Sequence, residues 1–366
     1  MNSIILRHIS KAYSGIPAVR DVSLRIEERQ FLTLLGPSGC GKTTTLRIIA
    51  GLEEPDSGEV IIQDQTFFSR EKAIFVPPEK RKLGLIFQSY ALWPHMTVRK
   101  NVSLALEEMK IPRNSVEQRV KDVLQKVQLT EYIDRYPSEL SGGQQQRVAV
   151  ARMIAAEPGI FLMDEPLSNL DAMLRIDMRA ELKHLHRELG ATTVYVTHDQ
   201  VEALTLSDKI AVMDRGILRQ LGTPEEIYKT PADLFVAKFV GSPRINVIPG
   251  ELASEGEKQY FISGELKAEI TSVIQSQERQ IIGTIRPEDI VISGEKIAKG
   301  LKTNVYSVLP AGSETIITVH NGDLSLSVKV NGFTDIRMDD DVWIGCDPQK
   351  MNYYDSQTEN LLQRRA

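Results

Sequence analysis

Phe31-Leu-Thr-Leu-Leu35-Gly36-Pro-Ser38-Gly39-Cys40-Gly41-Lys42-Thr43-Thr44 runs from a short apolar stretch straight into a glycine-rich loop, and a helix-forming stretch follows as far as Leu52. The loop fits G-x-x-x-x-G-K-[ST], and its place between a predicted strand and a predicted helix gives the pattern physical meaning. Glycines let successive backbone N–H groups converge on a phosphate, and the start of the following helix adds a positive dipole end. On this reading Gly36, Ser38, Gly39, Cys40, Gly41 and Thr44 cradle a nucleotide, Lys42 reaches its β- and γ-phosphates, and the Thr43 hydroxyl ligates Mg²⁺. Cys40 reads as a small residue fitted to a tight loop.

A second apolar run, Ile160-Phe-Leu-Met163, ends in Asp164-Glu165-Pro166. Asp164 fits the carboxylate that holds Mg²⁺ beside a phosphate loop. Glu165, one step on, would face the γ-phosphate and orient or deprotonate an attacking water. Thr192–Val196 is a third apolar run, rich in β-branched residues. Near-continuous apolar strands of this kind belong to parallel sheets covered on both faces. Between them Val116, Val120, Val123, Leu124 and Val127 recur at helix spacing, with Ser115 and Gln118 as a candidate capping box. Met178, Leu182, Leu185 and Leu189 form another helical stripe that Gly190 is placed to end.

The texture changes after Phe239. Gly241-Ser-Pro-Arg-Ile-Asn246-Val-Ile-Pro-Gly250 is turn-rich and reads as a linker, and short alternating runs follow. Asn321-Gly322 between β-prone residues predicts a hairpin, with Leu324, Leu326, Val328 and Val330 on one sheet face. The expected layout is an α/β domain over 1–239 and a small all-β, barrel-like domain over 240–366.

Composition sets the outer limits. The chain has 366 residues, 42% hydrophobic and 25% charged, ordinary for a globular protein with a large core. A net charge of −5 is the wrong sign for coating a nucleic-acid backbone, so no nucleic-acid partner is expected. Two cysteines, Cys40 and Cys346, exclude a disulfide scaffold or a four-cysteine zinc site. No secretory signal is visible, and no stretch approaches the roughly 20 apolar residues that span a bilayer. The chain reads as cytosolic, and any channel it serves must come from other chains.

Leu140-Ser141-Gly142-Gly143-Gln144-Gln145-Gln146-Arg147 opens a predicted helix upstream of the acidic strand. Ser141 could cap that helix, and Gly142 and Gly143 would expose N–H groups at its positive end, making a second anion site. This run resembles the signature sequence of ABC-transporter ATPases, and the resemblance covers the whole chain, with several motifs in the family's order. It implies an α/β P-loop NTPase fold, a RecA-like core with a helical subdomain at about 89–156, followed by an all-β OB-like barrel.

The resemblance assigns further roles. Tyr13 stands where the family stacks on adenine, and Gln88 matches the glutamine that senses Mg²⁺ and the membrane subunits. Ser168-Asn-Leu-Asp171 resembles the D-loop. His198 resembles the switch histidine that contacts the γ-phosphate. ATP with Mg²⁺ would lie between two head-to-tail copies, the phosphate loop of one facing Ser141, Gly142, Gly143 and Gln144 of the other. Two membrane permease subunits and, indirectly, an extracytoplasmic solute-binding protein complete the implied system, on the cytoplasmic face of the membrane.

Ser89-Tyr90-Ala-Leu-Trp93-Pro-His95 would meet the membrane partner, with Tyr90 and Trp93 lining a groove; Trp93 fits a place in the helical core equally well. Gly222-Thr-Pro-Glu-Glu-Ile-Tyr228, Phe239–Asn246 and Ile285-Arg286-Pro-Glu-Asp289 resemble the regulatory extension of oligosaccharide importers. Polyamine, iron and sulfate importers share this plan. An ATPase acting on DNA or the ribosome would carry two cassettes or a long coiled-coil insertion, and an export motor would lack the long β-tail. The β-domain would either bind a regulator or only strengthen dimerisation.

Overall fold

The computed structural model of the protein describes residues 2–270, 274 and 279–363, and the chain divides into two compact units, Met1–Pro224 and Glu225–Ala366.

In the first unit an antiparallel sheet of order β2-β1-β4-β5-β6 joins β1 (Asn2–Tyr13), β2 (Ile16–Glu27), β4 (Ser57–Ile62), β5 (Gln65–Ser69) and β6 (Ile74–Phe75). A second sheet has the order β11-β10-β3-β9-β8-β7, from β3 (Phe31–Leu35), β7 (Gly84–Ile86), β8 (Ile160–Asp164), β9 (Thr192–Thr197), β10 (Lys209–Asp214) and β11 (Ile217–Gly222). Its strands are parallel except for β11, which closes one edge antiparallel. Every residue of β3, β8 and β9 is buried, as their unbroken apolar sequences require.

Helix α1 (Lys42–Ala50) leaves the phosphate loop and is closed by Gly51 in the left-handed conformation. Helices α2 (Val98–Glu108), α3 (Arg113–Lys126) and α4 (Gly142–Ala155) pack through Val102, Leu106, Val120, Leu124, Val148 and Ala151. The apolar stripe of α3 is buried as expected, but its start is not the anticipated capping box. The helix begins at Arg113 behind Pro112, Ser115 N donates to the Pro112 carbonyl at 2.9 Å, and the Gln118 amide turns to Asp122. Proline presets the entering turn earlier than Ser115 could. Helix α5 (Ala172–Leu189) buries Met178, Leu182 and Leu185 and ends on Gly190 with φ 58°. Helix α6 (Gln200–Leu206) follows β9.

The second unit holds two antiparallel sheets. One has the order β14-β13-β12-β15-β21-β22, from β12 (Asn246–Glu255), β13 (Lys258–Ser263), β14 (Leu266–Ile270), β15 (Gln280–Ile285), β21 (Asn352–Asp355) and β22 (Leu361–Gln363). The other, β16-β20-β17-β18-β19, uses β16 (Ile290–Ser293), β17 (Leu301–Pro310), β18 (Glu314–Asn321), β19 (Leu324–Asn331) and β20 (Asp341–Cys346). Ile248, Phe261, Ile281 and Tyr353 from one sheet share a core with Val305, Ile317, Val328 and Ile344 from the other, which gives the nearly closed barrel. The hairpin sits one residue beyond the expected dipeptide: Asn321 pairs with Leu324, and Gly322-Asp323 is the loop.

Helices α7 (Pro224–Lys229) and α8 (Leu234–Phe239) lie at the junction and pack with the second unit, so its boundary falls before the 239/240 junction read from sequence. Leu234 and Ala237 pack with Ile245 and Tyr354. The fully buried Arg286 stacks its guanidinium 4.2 Å from the Tyr228 ring centroid and donates to the carbonyls of Tyr228, Ala237 and Val240. Gly241 is needed beside it, because a Cβ there would stand 2.5 Å from Arg286 Nη1. Asn246 exchanges two hydrogen bonds with the backbone of Ser327. The tail motifs are thus brackets inside the β-rich unit.

One buried cation governs the helix that carries the phosphate loop. Arg81 donates to the Ile48 and Ile49 carbonyls at 2.9 and 2.7 Å and to the Val76 carbonyl at 2.8 Å. It satisfies acceptors at the C-terminal end of α1, where the dipole favours a cation. Burial lowers its pKa to about 10, so it stays charged at neutral pH. Arg81→Met is expected to lower unfolding free energy by about 1–3 kcal/mol, the cost of unpaired buried acceptors, measured by urea denaturation.

Candidate functional site

The register of the parallel sheet sets the site. Leu35 lies opposite Thr197, and Asp164 opposite Val196, so the C-terminal ends of β3, β9 and β8 stand side by side. The phosphate loop, His198 and the Asp164-Glu165 pair leave from those three ends. Ligand sites of open α/β sheets form at such carboxyl ends.

Thr43 Oγ1 donates to Asp164 Oδ1 at 2.9 Å across the gap between α1 and β8. Burial pushes the Asp164 carboxyl up, while the Thr43 hydroxyl and the charges of Arg47 and Lys42 pull it down. Glu165 Oε2 accepts from Gln88 Nε2 at 3.3 Å and lies 3.1 Å from His198 Nδ1. Glu165 holds φ 45°, the left-handed region that costs a non-glycine residue on the order of 1 kcal/mol or more. That turn takes its side chain off the strand direction, and its N–H still donates to the Val196 carbonyl at 3.0 Å. A cleft of about 350 Å³, lined by Arg47, Phe87, Gln88, Ser89, Asp164 and Asn169, opens beside these groups.

Within the loop, Gly36 and Gly41 are required by space. A Cβ on Gly36 would meet the Met213 carbonyl oxygen at 2.2 Å, and one on Gly41, at φ 102°, the Ala18 carbonyl oxygen at 2.3 Å. Ser38 and Gly39 form the exposed tip, and Cys40 is buried, its thiol pushed up by burial. Lys42 Nζ sits inside the loop, donating to the carbonyls of Gly36 at 2.7 Å and Pro37 at 3.0 Å. Tyr13, at the end of β1, is 43% exposed.

The Ser141 run forms a separate anion-type helix start. Ser141 Oγ accepts from Gln144 N at 3.3 Å and Gln144 Oε1 accepts from Ser141 N at 2.8 Å, a closed capping box. Ser141 and Gly142 are exposed, whereas Gly143 is buried, and a Cβ on it would meet Leu174 Cδ2 at 2.4 Å. Gly143 therefore serves close packing on α5, and the accessible end is narrower than the sequence suggests. Asp171 caps α5, accepting from Leu174 N at 3.0 Å. None of the Ser141 and Gln144 side-chain bonds reaches Thr43, Gln88, Asp164, Glu165 or His198.

In the segment after Gln88, Tyr90 is buried rather than exposed, its carbonyl held by Arg152 at 2.8 Å. Trp93 is 47% exposed and outside the helical core. Asn101, fully buried, holds the carbonyls of Trp93, Met96 and Thr97, and so fixes the backbone while the indole turns outward.

A family model described as "ABC transporter" matches residues 19–168, and one described as "TOBE domain" matches residues 283–352. The trehalose/maltose import ATP-binding protein MalK of Thermococcus litoralis is 44% identical over 377 residues, covering 99% of this chain and 100% of the relative. The trehalose import ATP-binding protein SugC of Mycobacterium tuberculosis is 50% identical over 294 residues, covering 79% of this chain and 73% of the relative. A solved ATP-binding cassette, a dimer in a post-hydrolysis state with ADP and phosphate, aligns with TM-score 0.53 and 32% identity, over 60% of this chain and 98% of that one. This chain belongs to the ABC-transporter ATP-binding family. It is an ATPase that binds ATP, with an ABC core and a TOBE-type β-barrel.

Several residues of this ABC ATPase site escape a motif reading. Arg47 follows Thr43 by four positions and so shares its face of α1, a spacing that was readable in sequence. Asn169 Nδ2 donates to the Gln88 carbonyl at 3.1 Å and Ser168 Oγ to the Glu165 carbonyl at 2.9 Å; only the fold reveals these.

Asp164 allows a linkage test. Its folded pKa is raised, so its contribution to stability is full below the unfolded carboxyl pKa and is lost as pH rises through the folded one. Above that window the buried charge is a net cost. Asp164→Asn keeps an acceptor for Thr43 and should melt higher than the parent at pH 8 without nucleotide, the gap narrowing toward pH 4, as measured by scanning calorimetry.

Proposed function

We propose that this chain is the ATP-hydrolysing subunit of a sugar importer of the trehalose/maltose class, working as a head-to-tail pair on the cytoplasmic face of the membrane. The observation that carries the catalytic reading is the convergence on Glu165: one carboxylate oxygen within hydrogen-bond range of both Gln88 and His198, beside the Thr43–Asp164 pair. The sugar class is supported by relatives named for trehalose and maltose import, one of them matched over its whole length.

In this mechanism the loop from Gly36 to Thr44 wraps the phosphates with backbone N–H groups, and Lys42 exchanges its two carbonyl partners for phosphate oxygens. Tyr13 stacks on the adenine. Glu165 orients the attacking water and takes its proton, while His198 and Gln88 fix that carboxylate and contact the γ-phosphate region. The Thr43 hydroxyl, the Asp164 carboxylate and the Gln88 amide offer oxygen donors that suit a hard cation. A cation held by these residues would neutralise phosphate charge.

Ser141, Gly142 and the end of α4 supply the other wall of the partner's pocket, with Gly143, Gln144 and Asp171 shaping it. ATP then bridges two copies, and hydrolysis releases them. The exposed Phe87 and Trp93, on either side of Ser89, would meet a permease segment. No described helix is long and apolar enough to cross a membrane, so two permease subunits provide the path and an extracytoplasmic solute-binding protein delivers the sugar. The barrel unit is proposed to hold the pair together.

Glu165→Gln is expected to bind Mg-ATP and to lose turnover by about 10²-fold or more, accumulating as a nucleotide-bound dimer in light scattering. Near-parental turnover would reject Glu165 as base, and a variant that stayed monomeric at saturating Mg-ATP beside its permease subunits would reject the shared pocket. Loss of trehalose or maltose uptake in a Lys42→Ala strain checks the sugar.

A further inference from the structure

We propose that Arg175 is a positioning residue that ties His198 to the 168–171 loop, so that a chain's own pocket and the surface it lends its partner move together. The inference rests on the role given above to His198.

Arg175 stands in the first turn of α5, directly after the loop. Its Nη2 donates to the Leu170 carbonyl at 3.0 Å, and its Nη1 lies 3.3 Å from Asp199 Oδ2. One guanidinium therefore bridges the residue before Asp171 and the residue after His198, 29 positions apart in the chain.

The His198 segment is otherwise held from below. Asp199 Oδ1 caps α6, accepting from Val201 N at 2.8 Å and Glu202 N at 3.1 Å. Thr197 Oγ1 accepts from Asp199 N at 3.0 Å and donates to Glu202 Oε2 at 2.6 Å; Tyr195 OH donates to the same oxygen at 2.9 Å. Tyr195, Thr197 and Glu202 are all buried. His198 is thus exposed between two neighbours that are pinned, and Arg175 is the lateral support of that span.

The bridge is not saturated. Arg175 Nε is buried and has no hydrogen-bond partner, and the Asp199 contact is single and 3.3 Å long. Nη1 and Nη2 share the outer edge of one rigid plane, so a displacement of the Leu170 carbonyl that turns the guanidinium also moves its contact with Asp199. Movement of the 168–171 loop against a partner chain would reach His198 through this bridge.

The test uses the full-length chain. Arg175→Met is expected to lower kcat for ATP about tenfold or more, as misplaced catalytic groups do, while KM for ATP stays within about threefold of the parent, since the phosphate loop is untouched. Arg175→Lys keeps a charge for Asp199 but cannot fork to Leu170 as well, and should recover part of the loss. Asp199→Asn retains the cap acceptor and should match Arg175→Met, with the double variant no worse than either. If Arg175→Met fails to fold, Asp199→Asn carries the comparison alone.

Additive losses, a defect in KM rather than kcat, or turnover within about twofold of the parent in both single variants overturns the tie. His198→Ala, run in parallel, separates the two readings. If it is inactive while the Arg175 and Asp199 variants turn over normally, only the tie falls. If it turns over normally, the role of His198 falls with it.

Discussion

The hydrogen bond from Thr43 to Asp164 exists because three parallel strands end in register, and the rest of the site depends on that ending. β3, β9 and β8 are buried along their length, so a one-residue slip would turn each apolar set against the wrong layer. Pinned in this way, they deliver a hydroxyl, an imidazole and two carboxylates to one edge from positions spread over more than 150 residues of chain. Asp164 shows the cost: a carboxylate held below the surface at 7% exposure, with its charged form disfavoured by burial. Such a group is maintained by the fold around it, and it is most useful when a cation arrives to offset the charge.

What could be read in the sequence follows the same division. Stretches whose conformation is decided by neighbours in the chain were legible: the apolar runs of the sheet, the glycine pattern of the loop, the Ser141 cap, and the stripe of α5 with Gly190 at its end. Features decided by partners far along the chain were not. Nothing local tells that Tyr90 is buried and Trp93 exposed, because that choice is made by Arg152 and Asn101 holding the backbone between them. Gly143 looks like a second open N–H donor until Leu174 is placed against it. The α3 start was misread for a local reason: Pro112 fixes the entering turn ahead of the Ser115 and Gln118 pair.

The tail illustrates how a motif can identify a family and yet describe architecture. Tyr228, Gly241, Asn246 and Arg286 belong to three separated runs, and all of them turn out to bracket backbone within the second unit. Arg286 binds carbonyls through its guanidinium, so its sequence neighbourhood gives no sign of what it holds. A regulator site need not follow from such residues, and the dimer-bracing role assigned to this unit asks only for a rigid barrel. The core shared by its two sheets provides that.

A single chain offers two helix starts suited to anions, one at Gly41–Lys42 and one at Ser141–Gly142, and they differ in how far they are already satisfied. The Ser141 start is internally closed by its capping box, which uses the N–H groups of both Ser141 and Gln144. Of the next two residues, Gly142 is exposed and Gly143 buried, so the accessible part of this helix start is small. The phosphate loop instead folds its lysine back on its own carbonyls, a weak substitute for phosphate oxygens. Nucleotide therefore has most to gain at the loop, and the Ser141 start adds a smaller increment once ATP is seated. On the proposed mechanism that ordering means binding begins within one chain and closure with the partner comes second, so the modest second contact can be undone when the γ-phosphate is lost.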